Sequence, residues 1–331
     1  MVSMRKVINA VAAGIAVAGL ASAAYQRVSE RCDGRRFPPL GQRFDIGGRR
    51  LHVLRSGASA PVVVVLPALG TPAAEWVRVQ RALAERTDAT IMVVDRAGLG
   101  WSDPGRWPRT PSTMADELQA LLTAAGVGGP VIVVGHSAGG LVARVFAARY
   151  RDRVARLVLV DATHEDFPHV LSQYDQRIGV GDLWWRAARW RSRVLGWRRL
   201  RASLGGVEEL RRDATREVPA NLVDAHIARC MTGAFRRAVI QETVGLACGL
   251  SAVRAQCRDL GDLPITVVTA GSTGREQWFE GWLDLQARFL SMSTVSRQVS
   301  APHCDHHINH DDPELLAGVI VEEIHAAVAT A

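Results

Sequence analysis

The chain has 331 residues, 48% of them hydrophobic and 22% charged, which excludes a disordered chain and a disulfide-stapled miniprotein and fits one globular unit of enzyme size. The formal net charge is +7, yet the basic residues are almost all Arg, with Lys6 the only Lys, and they are scattered rather than blocked. Without a basic stripe or a nucleic-acid module, nucleic acid is not an expected partner.

Residues 1–30 stand apart as a hydrophobic anchor or signal segment. Arg5 and Lys6 precede an uncharged run from Val7 to Ala24, rich in Ala and Gly. A spanning helix needs about 20 apolar residues, so the run is just long enough. Two outcomes follow: an uncleaved anchor, the preferred reading, or a signal peptide cut after Ala21-Ser22-Ala23, with the protein then secreted. Arg27, Arg31, Arg35 and Arg36 compete with Arg5 and Lys6 in setting orientation, and a domain outside the cytoplasm is expected.

From Gln42 the pattern changes. Arg43 to Leu54, broken by Gly47-Gly48, reads as a β-hairpin in which His52 is an exposed strand residue. Pro61 to Leu66 is a strand buried on both faces, followed by a loop through Leu69 and a helix from Ala73 to Arg86. Thr90 to Asp95 is the next buried strand, followed by the loop Arg96 to Asp103, in which Asp95-Arg96 and Ser102-Asp103 are loop-organising residues. A helix capped by Ser112 or Thr113 comes after it.

Val131 to His136 is a β-branched strand and Ala138 to Tyr150 a helix, with Gly135-His136-Ser137-Ala138-Gly139 between them. This is G-x-S-x-G in strand-turn-helix context, a nucleophile elbow. A turn that sharp puts Ser137 in a strained backbone region, with its hydroxyl exposed at a helix N-terminus where N–H groups can receive an oxyanion. Arg153 to Asp161 and Pro264 to Ala270 are two more buried strands. Strands alternating with helices predict a doubly wound, mostly parallel α/β sheet whose ligands sit at the carboxyl ends of its strands.

Residues 165–258 interrupt that rhythm as a helical lid between core parts 31–164 and 259–331. Leu183, Ala187, Trp190 and Val194 share one helix face, and Arg186, Arg189 and Arg193 the other. Trp184, Trp185, Trp190 and Trp197 among these arginines fit either a surface resting on lipid headgroups or a roof over an apolar pocket. The five cysteines lack metal spacing and are expected to be small core residues.

The hairpin ending in Arg49-Arg50-Leu51-His52, the loop DRAGLGWSD, GHSAGG, LVLVDATHED and the closing HHINHDDPELL together resemble the α/β-hydrolase superfamily, in particular its membrane-anchored bacterial members. The resemblance runs from about Arg35 to the end, weakest over Glu165 to Arg258. It implies an eight-stranded sheet and cleavage of ester or related acyl bonds, carboxylesterase- or lipase-like, by a Ser-His-acid triad without cofactor. A serine hydroxyl needs a base, and His303, His306, His307 and His310 crowd the carboxyl end. Aligning Pro313 with the family's last helix puts the base on His306, with His307 or His303 as alternatives; the same crowding of His, Asp and Cys is a less favoured metal pattern, and no metal is assigned.

The acid is less defined. Thr273 stands about where an Asp is expected beyond the Pro264 strand, which leaves Asp161, preferred because a strand end fixes it, and Glu276 as the alternative. The oxyanion donors implied are the N–H groups of Ala138 and Leu69, in a loop reading Pro67-Ala68 where the family often has His-Gly. Ser rather than Asp at the nucleophile position argues against epoxide hydrolases and haloalkane dehalogenases. Two other functions fit the same residues: a cofactor-free haloperoxidase-like activity, and a catalytically silent binding protein.

Overall fold

The computed structural model describes residues 4–169, 207–271 and 279–330. Outside them lie the alternative acid Glu276, Thr273 and the whole Trp/Arg-rich stretch around 183–197. A helix, α1, runs from Met4–Arg36, and the hairpin follows as β1 (Gln42–Asp45) and β2 (Arg50–Ser56). Then come β3 (Ser59–Leu66), α2 (Val77–Ala84), β4 (Ala89–Asp95), α3 (Pro111–Ala124), β5 (Val131–His136), α4 (Ala138–Arg149) and β6 (Val154–Val160). Between β6 and β7 (Ile265–Ala270) the described helices are α5 (Val207–Glu217), α6 (Val223–Cys230) and α7 (Gly233–Gln256). The chain closes with α8 (Phe279–Arg288), β8 (Ser296–Ala301), the short α9 (Ile308–Asp311) and α10 (Pro313–Ala329).

The strands form one eight-stranded sheet in the order β1-β2-β4-β3-β5-β6-β7-β8. Only the β1/β2 and β2/β4 pairs are antiparallel; the other pairs are parallel. Parallel strands joined by crossover helices are covered on both faces, which is why the central ones read as unbroken apolar runs. In β3, Val64 and Leu66 enter the core shared with α3 and α4, while Val63 and Val65 enter the opposite core shared with α2 and α10.

Three sequence expectations change. His52 is wholly buried rather than exposed, because the loop after β4 covers that face of the hairpin and places the Trp101 ring 5.2 Å from its ring. Its Nε2 accepts a hydrogen bond from the Gly41 N–H and its Nδ1 donates to Asp95, so the imidazole is neutral. The cap of α3 is Thr110, whose Oγ1 accepts from the Thr113 N–H. Pro111, with no N–H to satisfy, fills the first helical position and moves the cap one residue ahead of it. Of the five cysteines only Cys257 and Cys304 are buried, whereas Cys32 and Cys248 are exposed.

The run from Val7 to Ala24 is helical, as part of α1. Some of its side chains lie outside the described ones. Among the described residues no helix is long and apolar enough to cross a membrane. The carboxyl end of α1 is tied to the insertion: Gln26 Nε2 donates to the Met231 carbonyl, and Glu30 accepts from the Gly233 N–H.

Candidate active site

The elbow is held by close packing. Ser137 has φ 50° and ψ −122°, a left-handed backbone that L-residues rarely adopt. A Cβ on Gly139 would sit 2.1 Å from the Leu66 carbonyl oxygen, and one on Gly135 2.7 Å from Ala143 Cβ, so both must be glycine for α4 to start against β3 and β5. The turn is fastened to the next strand, with the Ser137 N–H donating to the Val160 carbonyl and the Thr163 N–H to the Ser137 carbonyl.

That neighbouring strand ends in Asp161, the other non-glycine residue with positive φ among the described residues, at 38°. It is fully buried. Its N–H donates to the Val268 carbonyl, and its Oδ1 accepts from Trp282 Nε1 at 3.0 Å and from the Ala270 N–H at 3.2 Å. The other oxygen, Oδ2, lies 2.6 Å from His306 Nδ1. His306 Nε2 in turn lies 2.8 Å from Ser137 Oγ. A carboxylate beside Nδ1 keeps the proton there, so Nε2 is left as an acceptor facing the hydroxyl. His306 keeps a quarter of its side chain exposed.

The sequence candidates Ser137, His306 and Asp161 are therefore brought together from the ends of β5 and β6 and the loop after β8. His307 and His303 are not in this chain of contacts: His303 is exposed, and the His307 ring is edge-on to His306 at 5.3 Å between centroids. Ala138 opens α4 and is buried, and Leu69 lies on the loop after β3 with 39% of its surface exposed.

That loop is held from beneath. Arg96 donates to the carbonyls of Pro67 and Ala68, and its guanidinium is paired with Glu242 of α7 through Nε at 2.8 Å and Nη2 at 2.9 Å. Asp95 organises the same corner, accepting from the Ala73 and Trp101 N–H groups. Asp103 accepts from the Arg50 N–H at 2.7 Å.

Two contributors escape a sequence reading. His136, the variable residue of the elbow, donates from Nε2 to the His306 carbonyl at 2.9 Å and so fixes the loop that carries His306. Complete burial, with the charge of His306 added, holds its pKa well below the usual imidazole range, so it stays neutral. Trp282 on α8 is the second, and nothing in the local sequence ties it to a carboxylate 121 residues away.

The alpha/beta hydrolase fold family matches residues 61–313, most of the chain. The chain belongs to that family. A Bacillus subtilis relative, the uncharacterized protein YqjL, is 24% identical over 277 residues, covering 82% of this chain and 87% of its own length. Among solved structures, the epoxide hydrolase CorEH aligns with TM-score 0.62 and 19% identity over 87% of this chain and 98% of its own. The enol-lactonase of Burkholderia xenovorans LB400 aligns with TM-score 0.61 and 18% identity over 85% and 98%. At such identities the likeness is one of fold, and an alpha/beta hydrolase fold is a scaffold for several reactions.

Proposed function

We propose that this alpha/beta hydrolase is a serine hydrolase that cleaves an ester or related acyl bond of an apolar substrate through an acyl-enzyme intermediate. The observation that carries the reading is the continuous path from Ser137 Oγ through His306 to Asp161, with links of 2.8 and 2.6 Å. Ser137 Oγ attacks the acyl carbon while its proton passes to His306 Nε2. Asp161 stabilises the imidazolium without taking its proton. The N–H groups of Ala138 and Leu69 receive the oxyanion, and its collapse expels the alcohol, protonated by His306. Water, deprotonated by the same nitrogen, then frees the acid and regenerates Ser137.

The chemistry of the nucleophile favours this over epoxide opening, the reaction in the name of CorEH, because epoxide hydrolases of this superfamily present a carboxylate where Ser137 presents a hydroxyl. A lactone is a cyclic ester, so the name of the Burkholderia neighbour is compatible with the proposed bond class. The silent-scaffold reading rested on the missing acid beyond β7, and the approach of Asp161 Oδ2 to His306 Nδ1 favours the hydrolase over it. The test is labelling with a fluorophosphonate and turnover of a panel of p-nitrophenyl esters. Labelling and turnover that vanish in Ser137→Ala are expected, and a parent protein inert to both refutes the proposal.

The exposed apolar side chains of Ile8, Val17 and Leu20 on α1 support attachment to a membrane through residues 7–24. The full chain should pellet with membranes and a chain lacking residues 1–24 should not.

A further inference from the structure

Glu75 lies in the turn Ala73–Trp76 that leads from the loop after β3 into α2, beneath the insertion. It is 8% exposed. Among the described residues its carboxylate receives no hydrogen bond; two imidazoles flank it instead, His310 Nε2 at 3.3 Å from one oxygen and His226 Nε2 at 3.9 Å from the other. The His310 nitrogen has no hydrogen-bond partner either. A buried carboxylate left this way is costly unless something else compensates its charge.

It faces a cavity of about 310 Å³, lined among others by Gly70, Thr71, Glu217, His226 and His307. Glu217, the last residue of α5, enters from the insertion with Oε2 at 3.0 Å from His226 Nε2. One donor atom each of Glu75, Glu217 and His226 lies within 4.8 Å of the other two. We infer that these three residues bind a divalent transition-metal ion of the zinc type, clamping the insertion to the catalytic core.

The chemistry of the donors argues for that class. Two carboxylate oxygens and one imidazole nitrogen suit zinc and its neighbours, whereas magnesium and calcium favour all-oxygen sites. Bond lengths of ~2.0–2.2 Å in a tetrahedral site imply donor separations of about 3.4 Å. The observed 3.0 and 3.9 Å bracket that value, and rotation of the Glu side chains closes the difference. All three donors line the cavity, which leaves room for a water or a small ligand as a fourth donor. Zinc would add two positive charges where two carboxylates converge and would supply the partner Glu75 lacks.

Without an ion, burial raises the pKa of Glu75 to about 8, against the opposing pull of His226 and with help from Glu217 and Asp95. A proton is then the competing occupant, and ion binding must displace it. The site lies next to the chemistry: His307 lines the same cavity and packs against His306. None of this is legible as a motif, since Glu75 is more than a hundred residues from Glu217 and His226 and no helix carries two of the three at ligand spacing.

The test uses the full-length protein, stripped with a chelator and titrated with Zn²⁺ by calorimetry, with melting followed in parallel. One ion per chain and a rise in Tm are expected, with no rise from Mg²⁺ at the same concentration. Glu217→Gln, at a half-exposed position where folding is not at stake, should weaken Zn²⁺ binding on the order of 10-fold or more, and Glu75→Gln likewise. His303→Ala, at an exposed histidine outside the cavity, should leave the affinity unchanged. Absence of saturable binding would overturn the inference and leave the proton as the occupant. So would Zn²⁺ affinity that survives both Glu substitutions, or that His303→Ala removes.

Discussion

Among the described residues two non-glycine side chains sit in left-handed backbone, Ser137 and Asp161, and both end neighbouring parallel strands. Strain of about 1–3 kcal/mol at each persists only where surrounding contacts over-determine the conformation. Here the Val160, Thr163 and Val268 backbone groups do so. The payoff of that geometry is a carboxylate that cannot reorient: Asp161 Oδ1 is occupied by Trp282 and Ala270, leaving Oδ2 for His306. Asp161→Asn should therefore lose turnover on the order of 10⁴-fold with the fold intact, because an amide that donates to Nδ1 forces the wrong tautomer on the imidazole. Steady-state kinetics on a p-nitrophenyl ester, with Tm as the control for folding, measures this. Near-parental kcat would move the acid elsewhere. Ser137 was legible because its signal is local, five residues between a strand and a helix. His136 was not, since its role depends on a carbonyl 170 residues away.

At the scale of elements, legibility follows from which faces each one covers. Strands β3 to β7 are wrapped on both sides and read directly as apolar runs. Strand β8, Ser-Arg-Gln-Val-Ser-Ala, is an edge strand with most residues partly or fully exposed, and it carries no such signal. The insertion shows only helical periodicity in sequence, yet its helix α7 reaches under the site through Glu242, 146 residues from Arg96. Arg96 in turn grips the two carbonyls just before Leu69. Removing one oxyanion donor costs roughly 10² to 10³ in rate, so a loop loosened but not lost should cost a part of that. Glu242→Gln keeps the shape but not the charge, and kcat should fall on the order of 10-fold with KM little changed. Glu242→Ala leaves a buried guanidinium unpaired and should also lower stability by about 3–5 kcal/mol. If Glu242→Gln lowers Tm while kcat stays at the parental value, α7 supports the fold without positioning the loop.

For the molecule as a whole, the +7 net charge says less than the few groups whose pKa values the fold shifts. His136, His164, His307 and His310 all have lowered pKa values, mainly through burial, with His164 and His310 at about 4. These imidazoles take up protons on unfolding below their ordinary value of 6.5, so their contribution makes stability rise with pH up to that point. Glu75 has the opposite sign. Its pKa is 4.5 when exposed and about 8 in the fold, so the native state holds an extra proton between those values and stability falls as pH rises through the window. His226, raised through its bond to Glu217 and the nearby Glu75 against the cost of burial, acts in the same direction. Above pH 6.5 the lowered histidines are silent and only the falling contributions remain. The buried thiols Cys257 and Cys304, raised to about 11, add nothing until their ordinary value of 9.0 is approached. Stripped of metal, the protein should therefore be most stable near pH 6.5 and lose about 2 kcal/mol, or about 3 °C in Tm, by pH 8. Glu75→Gln cannot titrate and should flatten most of that decline. Melting curves of both proteins across this range decide the matter: a parental Tm that holds level, or a Glu75→Gln variant that declines as steeply, would mean that the proton on Glu75 is not what stabilises the joint between insertion and core.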